Sequence, residues 1–104
     1  MTIMDRDDLS TEAYEGIIIE AEKFNHDLTL RFGVLAGSCK NEEEYLIKTK
    51  KLIKAISELD EYDLDDIFFG SPPDKKHLHS TLQKILSNIS AVEKIPENKR
   101  HYDF

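Results

Sequence analysis

Pairs of carboxylates spaced three residues apart are the feature of this sequence that comes nearest to known chemistry. The pairs are Glu12 with Glu15, Glu58 with Glu61, Asp60 with Asp63, and Asp63 with Asp66. On a helix, residues three apart lie on the same face. Each pair could therefore offer two oxygen ligands to one hard divalent cation such as Mg²⁺. The chemistry that such a site supports is metal-assisted hydrolysis.

The helical period argues against this site. In a bundle, the start of the first helix and the end of the second would meet, which would suit the magnesium site of an all-α nucleotide pyrophosphohydrolase. However, the 3.6-residue period places Glu12, Glu15 and Glu58 on outward faces, and bundle metal sites use inward carboxylates. We therefore predict no catalytic residue, no metal site and no cofactor, with the metal-dependent hydrolase as an alternative.

The remaining reactive side chains do not form a motif either. His77 and His79 are two residues apart, so on a helix they point to nearly opposite sides and cannot share a metal ion. Cys39 follows a helix stop, and no motif supplies the base that a nucleophile needs. The sequence contains no phosphate loop, zinc spacing, nucleophile elbow or dinucleotide fingerprint. These observations predict that the protein is not an enzyme.

Hydrophobic periodicity predicts an all-α fold. Apolar residues recur at spacings of three and four over residues 14–35, 45–59 and 78–92, which is the pattern of amphipathic helices. We expect three long helices at about 11–36, 42–60 and 72–95, with a short helix at about 63–69. Short connections favour antiparallel neighbours, so the expected fold is an up-and-down antiparallel bundle. It forms one domain over 1–104, with 1–9 and 97–104 as flexible or docked tails.

Polar side chains and prolines mark the expected helix ends. Ser10 or Thr11 can cap the first helix, and Asn41 can cap the second. The last helix has Ser71 as its expected cap and Pro72 at its first position, where a missing N–H is harmless. These signals define the elements that must position any functional residue.

The net charge, the cysteine count and the length of the apolar runs exclude several classes of partner. The net charge is −7, from 21 acidic and 14 basic residues, so the surface as a whole repels nucleic acid. The single cysteine cannot form an internal disulfide, which fits a reducing compartment. No apolar run is long enough for a membrane span. We therefore expect a cytoplasmic protein with no nucleic-acid or membrane partner.

A second apolar stripe on the first helix is one candidate interface. Ile19, Leu30 and Val34 lie roughly opposite its main apolar face, and Ile47 lies among lysines on the outer face of the second helix. Scattered exposed apolar residues are normal on any surface, but a helix with two apolar faces usually covers both. This stripe predicts a homodimer or a docking surface for another protein.

The acidic joint before the last helix is the other candidate interface. It contains three aromatic residues among acids, Tyr62, Phe68 and Phe69, and aromatic residues rimmed by charge are common in interfaces. The candidate residues are Tyr62, Asp63, Asp65, Asp66 and Phe69.

Residues 63–74 resemble the acidic helix, aromatic pair and proline turn of bacteriocin nuclease immunity proteins. The central aromatic residues here are Phe68 and Phe69, where that family has tyrosines. The resemblance implies a small acidic helical inhibitor of a basic protein, and no residue's role is carried over from it.

The sequence as a whole predicts a non-enzymatic, acidic helical-bundle protein that acts through protein–protein interaction, with a homodimer as the expected assembly. The alternatives are the acidic immunity-type inhibitor and the metal-dependent nucleotide pyrophosphohydrolase.

Overall fold

A computed structural model describes residues 9–60, 63–64, 66, 68 and 74–102. These residues are mostly helical. Helix α1 spans 11–24, α2 spans His26–Ala36, α3 spans Glu42–Ser57 and α4 spans Lys75–Glu93, and a 3₁₀ turn follows at Glu97–Lys99. Residues 63, 64 and 66, within the short helix expected at 63–69, are also helical. The all-α class predicted from hydrophobic periodicity is confirmed.

Helix α1 changes its winding along its length. It is α-helical over Thr11–Ala13, π-helical over Tyr14–Ile19 and α-helical again over Glu20–Phe24. Ser10 caps its start, as the sequence predicts, because the Ser10 hydroxyl accepts a hydrogen bond from the N–H of Ala13 at 3.2 Å.

The single helix predicted over 11–36 is wrong, because the chain turns at Asn25. This residue is extended, with φ −168° and ψ 171°. Its side-chain oxygen accepts a hydrogen bond from the N–H of Leu28 at 2.9 Å and so begins α2. Asparagine is among the best N-cap residues, whereas the apolar spacing on both sides fits an unbroken helix equally well. Periodicity alone therefore could not reveal the turn.

The ends of α3 and α4 agree only in part with those predicted from the sequence. Asn41 caps α3 as predicted, accepting a hydrogen bond from the N–H of Glu44 at 2.8 Å. Helix α3 ends at Ser57 rather than near residue 60. Helix α4 begins at Lys75 with Asp74 as its N-cap, and ends at Glu93, so the predicted range 72–95 is too long at both ends. The expected cap Ser71 and first position Pro72 lie outside the described residues. Asp74 is extended, and its side chain accepts a hydrogen bond from the N–H of Lys76 at 3.1 Å, which sets the start at Lys75.

The four helices pack as a closed ring around one core. Helix α1 contacts α2 and α4, and α3 contacts the same two helices. The break at Asn25 therefore replaces the expected three long helices with four shorter ones. The largest fully buried apolar side chains come from all four helices and include Ile17, Phe32, Tyr45, Ile53, Leu82 and Ile89. None of the described helices is long and apolar enough to cross a membrane.

Candidate interaction surface and a buried carboxylate clamp

Leu30 and Val34 form an exposed apolar ridge on α2. Leu30 is 46% exposed and Val34 is 73% exposed. They are four residues apart, so they lie one above the other on the same helix face. The turn at Asn25 directs the buried face of α2, with Leu28 and Phe32, into the core. The ridge therefore faces away from the protein interior.

A groove between α1 and α2 runs along one side of this ridge. Its volume is about 540 Å³, and Ile18 from α1 and Gly33 from α2 are among the residues that line it. A Cβ atom placed on Gly33 would have no neighbour within 4 Å. The backbone of α2 is therefore open to close approach beside the ridge.

A second groove lies on the other side of the ridge, between α2 and α3. Its volume is about 380 Å³, and it is lined by Leu35 and Leu52 together with the charged side chains of Asp27 and Arg31. Neither charged residue forms an ion pair within the described part of the chain. The second groove therefore combines apolar side chains with one acid and one base, whereas Glu22 and His26 line the first groove.

The other two apolar candidates lie apart from the ridge. Ile47 on α3 is 43% exposed, and Ile19 in α1 is half-buried. Neither lines the two grooves beside the ridge. Of the four residues predicted as one apolar interface, the structure brings only Leu30 and Val34 together.

The acidic joint is described only in part. Asp63 and Asp66 are exposed, and the backbone N–H of Asp63 donates to the side chain of Asp60 at 3.0 Å. Tyr62, Asp65 and Phe69 lie outside the described residues. Phe68, the other aromatic residue of this joint, is buried against the ring of Phe24, with ring centroids 6.0 Å apart.

The described carboxylates of the alternative metal-site hypothesis do not all line one groove. Glu12 and Glu15 line one shallow groove between α1 and α4, and Glu58 does not. Among the described residues, no group of three or more His, Cys, Asp or Glu side chains could hold a metal ion.

The densest polar cluster is centred on the buried carboxylate of Glu42, at the start of α3. One carboxylate oxygen accepts hydrogen bonds from the backbone N–H of Ser10 at 2.7 Å and from its hydroxyl at 2.6 Å. The other accepts from the Arg100 guanidinium at 2.7 Å and from the Tyr102 hydroxyl at 2.9 Å. A carboxylate accepts about four hydrogen bonds, so Glu42 is saturated. It is therefore a structural clamp rather than a free base or ligand.

The clamp joins both ends of the described chain to α3. An isolated antiparallel β-bridge pairs Ser10 with Tyr102. The Arg100 Nε donates to the carbonyl of Ile95 at 2.9 Å, which fixes the guanidinium from its other side. Burial alone would lower the pKa of Arg100, but the hydrogen bond and charge of Glu42 raise it above its usual value. Burial and the Glu42 carboxylate both raise the pKa of Tyr102.

An outer hydrogen-bonded pair lies beside this clamp. The imidazole of His101 lies 2.6 Å from the carboxylate of Glu12, which also accepts the backbone N–H of His101. Partial burial acts to raise the pKa of Glu12, but these hydrogen bonds outweigh it and lower the pKa below its ordinary value. The segment that follows α4 is thus attached to the first turn of α1 by hydrogen bonds.

Helical periodicity does not reveal this clamp, although the sequence carries one signal of it. Glu42 falls in register with the apolar stripe of α3, since the buried residues of that helix include Glu42, Tyr45, Leu46, Thr49 and Ile53. A carboxylate on the core face of a helix needs a buried partner. The partner is more than fifty residues away in Arg100, which periodicity cannot predict.

Cys39 is buried and structural. Its Sγ lies 3.3 Å from the carbonyl oxygen of Leu35. Burial raises the pKa of the thiol, which keeps it protonated and unreactive at neutral pH.

Comparison with protein families, with curated proteins and with solved structures finds no match to this chain.

Proposed function

We propose that this protein is a non-enzymatic interaction protein that associates with a second copy of itself through the Leu30–Val34 ridge. The supporting observation is that these two apolar side chains, 46% and 73% exposed, are adjacent on one helix face. Contiguous exposed apolar surface marks interaction sites more often than single exposed residues do. In this proposal the interacting protein is acidic and all-helical. Its neighbouring helices pack antiparallel across short connections.

The occupant is a second copy because the surface is self-complementary. A two-fold interface presents the same patch from both subunits. Side chains four residues apart form the ridge that packs into the groove of a facing helix, and here the ridge lies between two grooves. Asp27 and Arg31 place one charge of each sign at the same edge, so a rotated copy can match acid with base. The charge of the second groove is balanced although the whole chain carries −7.

The test is the solution mass of the Leu30→Glu/Val34→Glu variant by size exclusion with light scattering, at micromolar concentration and two salt levels. The wild-type protein is expected to have twice the monomer mass, and the variant the monomer mass. The matched control is Gln83→Glu/Ser87→Glu, which adds the same two charges at the same spacing on the exposed face of α4. This control should remain a dimer. A monomeric wild type, or a variant that remains a dimer, would refute the ridge as the interface.

A second candidate is binding to a basic partner protein through the acidic joint. It is favoured by the exposure of Asp63 and Asp66 together with the net charge of −7. Charge-driven association weakens as salt rises. Capture of a polylysine peptide should therefore be salt-sensitive and reduced by Asp63→Asn/Asp66→Asn more than by Glu43→Gln/Glu22→Gln. Equal losses from the two pairs of substitutions would leave no special role for the joint.

A further inference from the structure

A single residue, Asn25, connects α1 to α2. Helix–helix hairpins usually use connections of about two to five residues. Here α2 folds back along α1, since Leu9 and Ala36, both distant in sequence from Asn25, line the same groove. One residue therefore makes the entire reversal.

The hydrogen bonds on both sides of Asn25 already have α-helical register. Its backbone N–H donates to the carbonyl of Ala21 at 3.0 Å, and its carbonyl accepts the N–H of Thr29 at 3.3 Å. Both bonds join residues four apart, as in a continuous α-helix. Only the torsion angles at Asn25 depart from a helix, with φ −168° and ψ 171°.

A continuous helix would also pair backbone groups that the turn leaves without helical partners. The first N–H groups of α2, on His26, Asp27 and Leu28, have no acceptor within their own helix. Leu28 uses the Asn25 side chain instead. In one straight helix, their acceptors would be the carbonyl groups of residues 22, 23 and 24.

The apolar residues support the straight form as well as the bent one. Ile17, Ala21, Leu28 and Phe32 are all fully buried, and with Phe24 they continue one stripe at spacings of three and four across the turn. A straight helix would keep this stripe on one face. Within one copy of the chain, however, straightening would move α1 away from α2 and α4 and expose their core faces.

We propose that α1 and α2 straighten at Asn25 and that two copies of the chain then exchange their α1 helices, forming a domain-swapped dimer. Each α1 packs against α2 and α4 of the other copy, so the core contacts are re-formed between chains. The clamp between Ser10 and Glu42 then joins the two copies. The same side chains contact one another in the closed monomer and in the swapped dimer. The equilibrium between these two states therefore depends on the connection at Asn25, and short hinges are where such exchange arises. This proposal does not depend on the Leu30–Val34 ridge.

The test compares Asn25→Ala with the matched variant Asn41→Ala. Both residues are extended N-caps whose side chains accept an N–H three residues on, at 2.9 Å for Asn25 and 2.8 Å for Asn41. Asn41 keeps its cap in the closed and the swapped state, whereas Asn25 is a cap only in the closed state. Both variants are made in the Leu30→Glu/Val34→Glu background, where the ridge dimer is absent. There Asn25→Ala should raise the dimer-to-monomer ratio roughly 30-fold, since each swapped dimer forms from two closed monomers that have each lost a cap. Asn41→Ala should leave the ratio unchanged.

Two further variants separate exchange from other causes. Asn25→Gly should lower the dimer fraction, because glycine caps a helix almost as well as asparagine but disfavours a helix interior. Adding Leu30→Glu/Val34→Glu to Asn25→Ala should leave the swapped dimer intact. If those charges abolish it, the dimer is the ridge dimer, and the swap proposal is wrong.

A distance measurement identifies the straight helix directly. Spin labels at Thr11→Cys and Gly37→Cys, in a Cys39→Ala background diluted with unlabelled protein, report a distance within one chain. A straight helix places these positions about 39 Å apart at 1.5 Å per residue, whereas the folded-back form holds them at the same end. A purified Asn25→Ala dimer with only the short distance, or equal dimer fractions for Asn25→Ala and Asn41→Ala, would overturn the proposal.

Discussion

The side-chain nitrogen of Asn88 on α4 donates a hydrogen bond to the backbone carbonyl of Gly16 at 2.9 Å, across 72 positions of sequence. The bond reaches α1 within its π-helical segment. A Cβ atom on Gly16 would lie 2.9 Å from the Cβ of Asn88, closer than such atoms approach in proteins. The close packing of α1 against α4 therefore requires glycine at this position.

Gly16→Ala and Gly33→Ala should have opposite effects on stability. Alanine is the better helix former at either position, by about 1 kcal/mol. At Gly16 the new methyl group meets the Asn88 Cβ, which cannot move away without its backbone, so the free energy of unfolding should fall by about 1–3 kcal/mol. At Gly33 nothing lies within 4 Å, so it should rise by about 0.5–1 kcal/mol.

Urea unfolding followed by circular dichroism, at a concentration where the protein is monomeric, measures both changes. An Asn88→Ala variant is the control, because it removes the hydrogen bond to Gly16 but keeps the Cβ atom that the new methyl group would meet. Stabilisation by Gly16→Ala would contradict the close contact between α1 and α4.

The Glu42 clamp should dominate the stability of the chain ends. The side chains of Glu42 and Arg100 are 3% and 8% exposed, and removing one partner of a buried ion pair costs about 3–5 kcal/mol. Glu42→Gln should cost most, because its amide would face the donors of Ser10. Tyr102→Phe should cost about 1–2 kcal/mol, as it removes one hydrogen bond to a charged acceptor.

A double variant distinguishes an ion pair from simple packing. Glu42→Met/Arg100→Met removes both charges, and apolar replacement of a buried pair is often close to neutral. The unfolding free energy that the double variant loses should therefore be smaller than the sum of the losses from Glu42→Met and Arg100→Met measured singly. Additive losses would show that the two side chains do not act as a pair.

The sequence predicts a helix correctly where the apolar period and the capping residues indicate the same boundaries. In α3 and α4 the apolar period and the buried residues coincide, and Asn41 caps as its type suggests. At Asn25 two tendencies compete: the apolar stripe favours continuation and the asparagine favours a new start. Packing of α2 back onto the core decides the outcome, and that packing is not visible in a local pattern.

The Leu30–Val34 ridge was predictable from a pattern within one helix, whereas the Glu42 clamp was not. Leu30 and Val34 fall off the main apolar face by helical period alone, so their exposure follows from local sequence. The clamp depends on Arg100 and Tyr102 meeting Glu42 across the fold. Such contacts depend on how the helices close on each other, which no spacing within one helix records.

Stability should decrease in acid because of the pair between Glu12 and His101. The lowered pKa of Glu12 means that the unfolded chain binds a proton more readily than the folded chain. The contribution is therefore complete above the ordinary glutamate pKa of 4.5 and is lost as the pH falls through the lower folded value. Because the His101 side chain is 82% exposed, solvent screens the pair, and its contribution is about 0.2–1 kcal/mol at most.

Glu12→Gln should therefore reduce the unfolding free energy at pH 6 and flatten its decline below pH about 4.5. Glu15→Gln is the control, because Glu15 is exposed and forms no ion pair within the described residues. Equal acid profiles for Glu12→Gln and the wild type would contradict the pair.

Stability should also decrease in alkali, through the buried phenol of Tyr45. Its hydroxyl donates to the carbonyl of Phe32 at 3.0 Å, which joins α3 to α2. Burial raises the pKa of Tyr45, so the folded chain keeps a proton that the unfolded chain loses above pH about 10. The contribution is complete below that pH and is lost above it, by about 1.4 kcal/mol per pH unit.

Tyr45→Phe separates the proton from the packing, because the ring remains and only the hydroxyl is removed. At neutral pH the variant should lose about 1 kcal/mol of unfolding free energy with the hydrogen bond to Phe32. Above pH about 10 its decline should be shallower than that of the wild type by the slope of one proton. Tyr102→Phe should flatten the profile too, since the pKa of Tyr102 is also raised. Denaturant midpoints measured from pH 7 to 11 would give these pH profiles of the unfolding free energy. If the unfolding free energy of Tyr45→Phe declined with pH as steeply as that of the wild type, the Tyr45 phenol would ionise in the folded protein.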